Sequence, residues 1–138
     1  MYKTILVTLD ATPTDRAIID HIKKLARIMN SNVELLHVAT GVAAQFNGPD
    51  AAGEEVDQNR AYLERVKSEF SEAGIPTEAR LAFGDPVKEI VKWIDANACD
   101  LVAMSTHGHQ FVADLVLGTT ANRVQHSVRV PVLLLRAK

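Results

Sequence analysis

Five short apolar runs, each separated from the next by a stretch of helical periodicity, constrain this chain more than any other feature. The first is Ile5-Leu6-Val7-Thr8-Leu9, ending at Asp10. A run that is apolar at nearly every position suits a strand buried on both faces. The others are Val33 to Val38, Asp100 to Ser105, Pro131 to Leu135 and the more polar Pro76 to Phe83. Pro76 cannot donate to a ladder, which puts the run it opens at a sheet edge.

The intervening stretches read as helices. Ile18, Ile22, Leu25 and Met29 follow Thr12-Pro13 at helical spacing, with Pro13 at or near the first helical position, Asp15 in the first turn and Asn30-Ser31-Asn32 as the stop. Val56, Leu63, Val66 and Phe70 mark a long polar helix closed by Gly74. Asp85 is a predicted N-cap with Pro86 at the first helical position, ahead of the stripe Val87, Ile90, Val91 and Ile94. Gly118-Thr119-Thr120 opens a last short helix. Two irregular stretches remain, Ala39 to Gly53 and Thr106 to Leu117. The first holds three glycines and a proline and reads as a loop of the length used for functional lids. Strand-helix alternation of this kind specifies a parallel sheet covered on both faces, because parallel neighbours need crossovers. At 138 residues, the expectation is one doubly wound α/β domain over residues 1–138, with five strands and four helices.

Composition removes several function classes. Apolar residues make up 47% and charged residues 23%, a globular balance that excludes disorder. Fifteen basic against seventeen acidic side chains give a net charge of -2, without the basic excess of a nucleic-acid binder. Cys99 is alone, so no intrachain disulfide forms. Met1-Tyr2-Lys3-Thr4-Ile5 runs straight into an apolar stretch too short for a signal peptide or a membrane span. The expectation is a soluble, cytoplasmic protein with no membrane or nucleic-acid partner.

In open α/β sheets a ligand lies beyond the carboxyl ends of the strands, where the strand order reverses. Asp10, His37 with Val38, and Ser105-Thr106-His107-Gly108 fall at such ends. Gly108 is followed by nine residues and then by Gly118-Thr119-Thr120. A glycine brings bare backbone close to a ligand, and a helix N-terminus favours an anion, so two such elements can hold a phosphate chain. The alternative is a turn at Gly118 and an N-cap at Thr119 with no ligand.

This spacing is similar to the nucleotide-binding signature of the universal stress protein family, two glycines three apart, nine residues, then Gly-Ser or Gly-Thr. Lys3 to Val7 with Asp10, Gly84-Asp85-Pro86 with Ile90, Asp100 to Met104, and Val130 to Arg136 also resemble that family, so the likeness covers essentially the whole chain. The resemblance implies an adenine nucleotide α-hydrolase-like sandwich with strand order 3-2-1-4-5. It also implies a homodimer, often built through the fifth strand, and the apolar character of Val130 to Leu135 on both faces suits a paired strand. By the same resemblance ATP, with or without Mg2+, places its adenine near Asp10 and Val38. Its ribose and phosphates meet Gly108, Gly118, Thr119 and Thr120, and Met104 lines the approach. Ser105 replaces the first glycine of the signature, where its hydroxyl offers a hydrogen bond in place of bare backbone. His109 stands where many ATP-binding relatives carry Lys or Arg, and Asp114 adds an anion.

Other chemistry is poorly supported. His107 and His109 form an H-x-H pair with no Cys or paired carboxylate nearby to complete a metal site. His37 reads as a hydrogen-bonded strand-end residue, His21 and His126 as structural, and Trp93 as packing. The chain has neither a P-loop nor a GxSxG elbow. A phosphorylatable receiver needs an Asp ending strand three and a Lys ending strand five, where this chain has Phe83 and Arg136. Two classes remain. One is an ATP-binding stress or signalling module in which occupancy alters residues 39–53 and so partner binding, with slow hydrolysis at most. The other is a nucleotide-independent dimeric scaffold acting through protein partners.

Overall fold

The computed structural model describes residues 1–40, 53–106 and 119–137. Its elements run β1 (Thr4–Thr8), α1 (Asp15–Met29), β2 (Asn32–Ala39), α2 (Gly53–Glu72), β3 (Thr77–Phe83), α3 (Pro86–Ala96), β4 (Leu101–Thr106), α4 (Thr119–Ser127) and β5 (Val132–Arg136). All five strands are parallel, in the order β3-β2-β1-β4-β5. The doubly wound fold, the strand order and the edge position of β3 agree with the sequence reading.

The apolar runs are continuous because the central strands are buried twice. Ile5 and Val7 face α1 and α2, where they meet Ile18, Ile22, Val33, Leu35, Leu63 and Phe70. Leu6 points the other way, into Leu36, Val38, Ile90, Ile94, Val102, Met104 and Val124 beneath α3 and α4. Each fully buried side chain of this size contributes about 1.5–3 kcal/mol, so both layers are needed to hold the sheet.

Several boundaries differ from the sequence reading, among them Asn32, which opens β2, and Thr106, which ends β4. Helix α1 starts at Asp15, and Pro13 belongs to the preceding turn, in which Thr12 O accepts from Asp15 N–H at 3.0 Å. Gly53 opens α2 instead of closing a loop, with Glu54 and Glu55 in the first turn complementing the helix dipole. Strand β2 keeps Ala39, whose carbonyl accepts from Gly84 N–H at 3.2 Å. Of the stretch read as a lid, residues 41–52 lie outside the described residues, as do residues 107–118. Among the described residues, no helix is long and apolar enough to cross a membrane.

Candidate functional site

The strand order reverses between β1 and β4: the chain winds out through β2 and β3, then returns to β4 and β5. A cavity of about 300 Å³ opens at the carboxyl ends of these central strands. Strand β1 and its exit supply Thr8, Leu9 and Asp10, β2 and its exit supply Leu36, His37, Val38 and Thr40, and β4 supplies Met104 and Ser105. Helix α3 adds Pro86 and Ile90, and the first turn of α4 adds Thr120 and Ala121. The volume is at the small end of the range for ligand pockets.

Of the residues expected from the sequence, Asp10, Val38, Met104, Ser105 and Thr120 converge on this cavity. Thr119 begins α4. Gly108, His109 and Gly118 lie outside the described residues, as do His107 and Asp114.

Asp15, which the sequence marks only as a first-turn acid, shapes the β1 exit. The residue is 1% exposed, and its carboxylate is fully used. It accepts from Asp10 N–H through Oδ1 and from Ala11 N–H through Oδ2, both at 2.9 Å. Tyr62 of α2 donates its hydroxyl to Oδ2 at 2.6 Å. Burial first, then this hydrogen bond, pushes the Tyr62 phenol well above its ordinary pKa, so it stays a donor. Ala11 has φ 62°, a left-handed conformation that costs a residue with a Cβ. The paired amides on one buried carboxylate offset that cost and fix where Asp10 leaves the strand. No local motif announces this role, because Tyr62 lies 47 residues away in sequence.

His37 contributes the cavity's imidazole. Its Nδ1 lies 2.8 Å from Leu9 O. A carbonyl only accepts, so Nδ1 carries the proton, and in the neutral ring Nε2 is left as an acceptor. Ser105 Oγ is shielded from solvent and has no hydrogen-bond partner among the described residues. Buried hydroxyls are normally paired, so an orphan on a cavity wall marks a place for a ligand or a water. At α3, Asp85 caps the helix by accepting from Lys88 N–H at 3.0 Å. The cavity therefore combines apolar walls (Leu9, Leu36, Val38, Ile90 and Met104) with a carboxylate, an imidazole and several hydroxyls. That combination of apolar wall and hydrogen-bonding groups is the lining of an amphipathic pocket.

Comparison with known proteins places this architecture. The model of the universal stress protein family matches residues 1–136. Universal stress protein MJ0577 of Methanocaldococcus jannaschii is 25% identical over 157 residues, spanning 100% of this chain and 97% of the relative. Its solved structure superposes with a TM-score of 0.87 at 25% identity, over 100% of this chain and 98% of that one. Two more distant structures share the fold. One is a universal stress protein in complex with cAMP, with TM-score 0.75 and 20% identity over 99% of this chain and 98% of that one. The other is the Archaeoglobus fulgidus protein in complex with dAMP, with TM-score 0.72 and 18% identity over 96% and 97%. With a family match across nearly its full length and the strand order to go with it, this chain belongs to the universal stress protein family.

Proposed function

We propose that this chain is an adenine-nucleotide-binding module of stress response or signalling in the cytoplasm, that it acts as a homodimer, and that ATP, with or without Mg2+, is among its ligands. The cavity where Asp10, Val38, Met104, Ser105 and Thr120 meet carries this reading. A purine suits the apolar walls beside Val38 and Met104 with the Asp10 carboxylate at its edge, and the Ser105 hydroxyl offers a hydrogen bond to the rest of the nucleotide. A phosphate suits the N-terminus of α4, whose first-turn amides have no partners within the helix. Gly108, His109 and Gly118 complete the site on the strength of the sequence signature. The complexes of family members with cAMP and dAMP support the same ligand class for this chain.

Hydrolysis is slow at most. Phosphoryl transfer relies on positive charge placed where negative charge develops, and no Lys or Arg lines the cavity among the described residues. The dimer reading rests on β5, an edge strand whose Val132, Leu133, Leu134 and Leu135 are only half-buried. Pairing with a second copy covers them.

Thermal unfolding with Mg-ATP, AMP and cAMP, and GTP as a control, tests the nucleotide reading. A ligand at about a hundred times its Kd stabilises by about 2.7 kcal/mol, several degrees for a chain of this size. A rise specific to adenine nucleotides is expected. No rise at millimolar ligand overturns the reading and leaves a nucleotide-independent dimeric scaffold acting through protein partners.

A further inference from the structure

We infer that the outer edge of β3 is a docking site for an acidic, extended segment of another protein, which adds to the sheet as a further strand. The inference concerns a different surface from the strand-end cavity and stands without the nucleotide reading.

Strand β3 closes one side of the sheet, and among the described residues no strand lies beyond it. Its ladder to β2 runs from Val33 opposite Thr77 to Ala39 opposite Phe83. Val33 N–H donates to Pro76 O at 2.9 Å, and Gly84 N–H donates to Ala39 O at 3.2 Å. Those end bonds fix the phase of the ladder. Glu78, Arg80 and Ala82 turn their backbone to β2, and Ala79, Leu81 and Phe83 turn N–H and C=O outward. Such an edge takes an extended chain through main-chain hydrogen bonds, and the side chains around it select which chain.

The surrounding side chains are basic. A cavity of about 450 Å³ lies against the edge, lined by Arg60 of α2, Arg80 of β3 and Lys92 of α3. Glu89 is the acid of that lining among the described residues. All three cations are exposed, and none forms an ion pair among the described residues. Glu78, the acid on β3 itself, lies 3.7 Å from Lys67. Arg80 also faces Glu34 of β2, whose shielded Oε2 takes no hydrogen bond from it. Counting Glu34 against Arg80, Arg60 and Lys92 still outnumber Glu89.

The cations stand on both sides of the strand. Leu36, opposite Arg80 in the ladder, belongs to the core beneath α3, whereas Ala79 and Leu81 pack towards α2. Arg80 and Lys92 therefore flank one face of the edge and Arg60 the other. Successive residues of a strand point to opposite faces, so a segment with acids at adjacent positions meets cations on both. A second copy of β3 is the wrong occupant. Arg80 is the middle residue of the strand, and two-fold pairing about the middle sets it against its own copy.

Trp93 lines the same cavity and is the chain's single tryptophan, so its fluorescence reads occupancy. The test titrates the full chain with a labelled peptide of about ten residues, built of Val, Thr, Glu and Asp with acids at adjacent positions. Anisotropy and Trp93 fluorescence are expected to follow one saturable transition. Binding is expected to weaken at least about tenfold in the double variant Arg60→Glu, Lys92→Glu, and to weaken in high salt. In amide exchange read by NMR, Ala79, Leu81 and Phe83 are expected to gain protection, while Glu78, Arg80 and Ala82 keep what they have. No binding at about 1 mM peptide overturns the inference. Equal binding of a peptide with Lys for every acid also overturns it, because charge then selects nothing. So does equal binding when every second peptide amide is N-methylated, in both phases, because no strand is then being added. A sedimentation mass that falls in the double variant gives the edge to a second copy and overturns it as well.

Discussion

Two aspartates stand at helix starts beside the cavity, and they do the same chemistry at very different scale. Asp85 is exposed and caps α3 with one bond to Lys88 N–H. Asp15 opens α1, is buried, and takes three donors: two amides of the strand exit and the hydroxyl of Tyr62 from a different helix. Removing a cap acceptor that water replaces is inexpensive. Removing a buried acceptor leaves its donors unpaired, and each then keeps its full desolvation penalty. The lesson is that a residue's burial and the origin of its partners set its weight, more than its position in the helix.

The largest test of this contrast is Asp15→Ala. With two amides and a phenol left unpaired, the expected loss is about 3 kcal/mol, or roughly 10 °C in melting temperature. Because Ala11 is strained and Asp10 depends on the same carboxylate, adenine-nucleotide binding is expected to weaken as well. Urea unfolding and a binding titration on the same sample check both. Asp15→Asn keeps one acceptor oxygen and is expected to lose about 2 kcal/mol; a loss equal to that of the alanine variant shows that charge, not acceptor count, dominates.

Tyr62→Phe removes one donor and leaves Asp15 its two amides. The expected cost is about 1–1.5 kcal/mol, read as a lower urea midpoint at unchanged slope. Asp85→Ala is expected to cost about 1 kcal/mol or slightly less, with the fold and the β1 exit untouched. If Asp85→Ala equals Asp15→Ala, the contrast between the two helix starts is wrong.

The smallest effect belongs to the surface clasp between α1 and α2. Arg16 and Lys23 each lie 2.6 Å from Glu69. The hydrogen bonds from Arg16 and then from Lys23 outweigh partial burial and lower the Glu69 carboxyl from 4.5 to about 2. A depressed folded pKa gives stability that is present above the unfolded value and fades as pH falls from about 4.5 towards about 2. These side chains are partly exposed and screened, so the clasp contributes under about 1 kcal/mol. Glu69→Gln is expected to flatten the acid side of the stability profile by that amount, and to do so less in high salt. A larger loss at neutral pH assigns Glu69 a role beyond the ion pairs.

The predictable elements of this fold are those whose physics is local. Runs such as Ile5–Val7 and Leu101–Met104 read as strands buried on both faces, because they are short, apolar at every position and alternate with stretches of helical period. Asp85-Pro86 announces its helix start because cap, proline and first turn are neighbours in sequence. The rule that ligands gather at strand ends picks out Asp10, His37, Val38 and Ser105, the helix start at Gly118-Thr119-Thr120 adds Thr120, and Met104 comes only with the family resemblance. Thr8 and Thr40 also line the cavity without any signal in the sequence, and Pro86 and Ile90, legible as a helix start and an apolar stripe, give no sign there that they face a cavity. They are ordinary residues brought there by register, such as Thr8 opposite Leu36.

By itself, then, the sequence determined the class of fold, the order of elements along the chain and the end of the sheet where chemistry collects, since periodicity, caps and strand ends are properties of adjacent residues. The tertiary structure alone decided that Asp15 is a buried hub, that His37 is tied through Nδ1 to Leu9, and that the first turn of α4 lines the cavity through Thr120 and Ala121. Those outcomes depend on which distant donor meets which acceptor after the sheet has closed, and no local pattern carries that information.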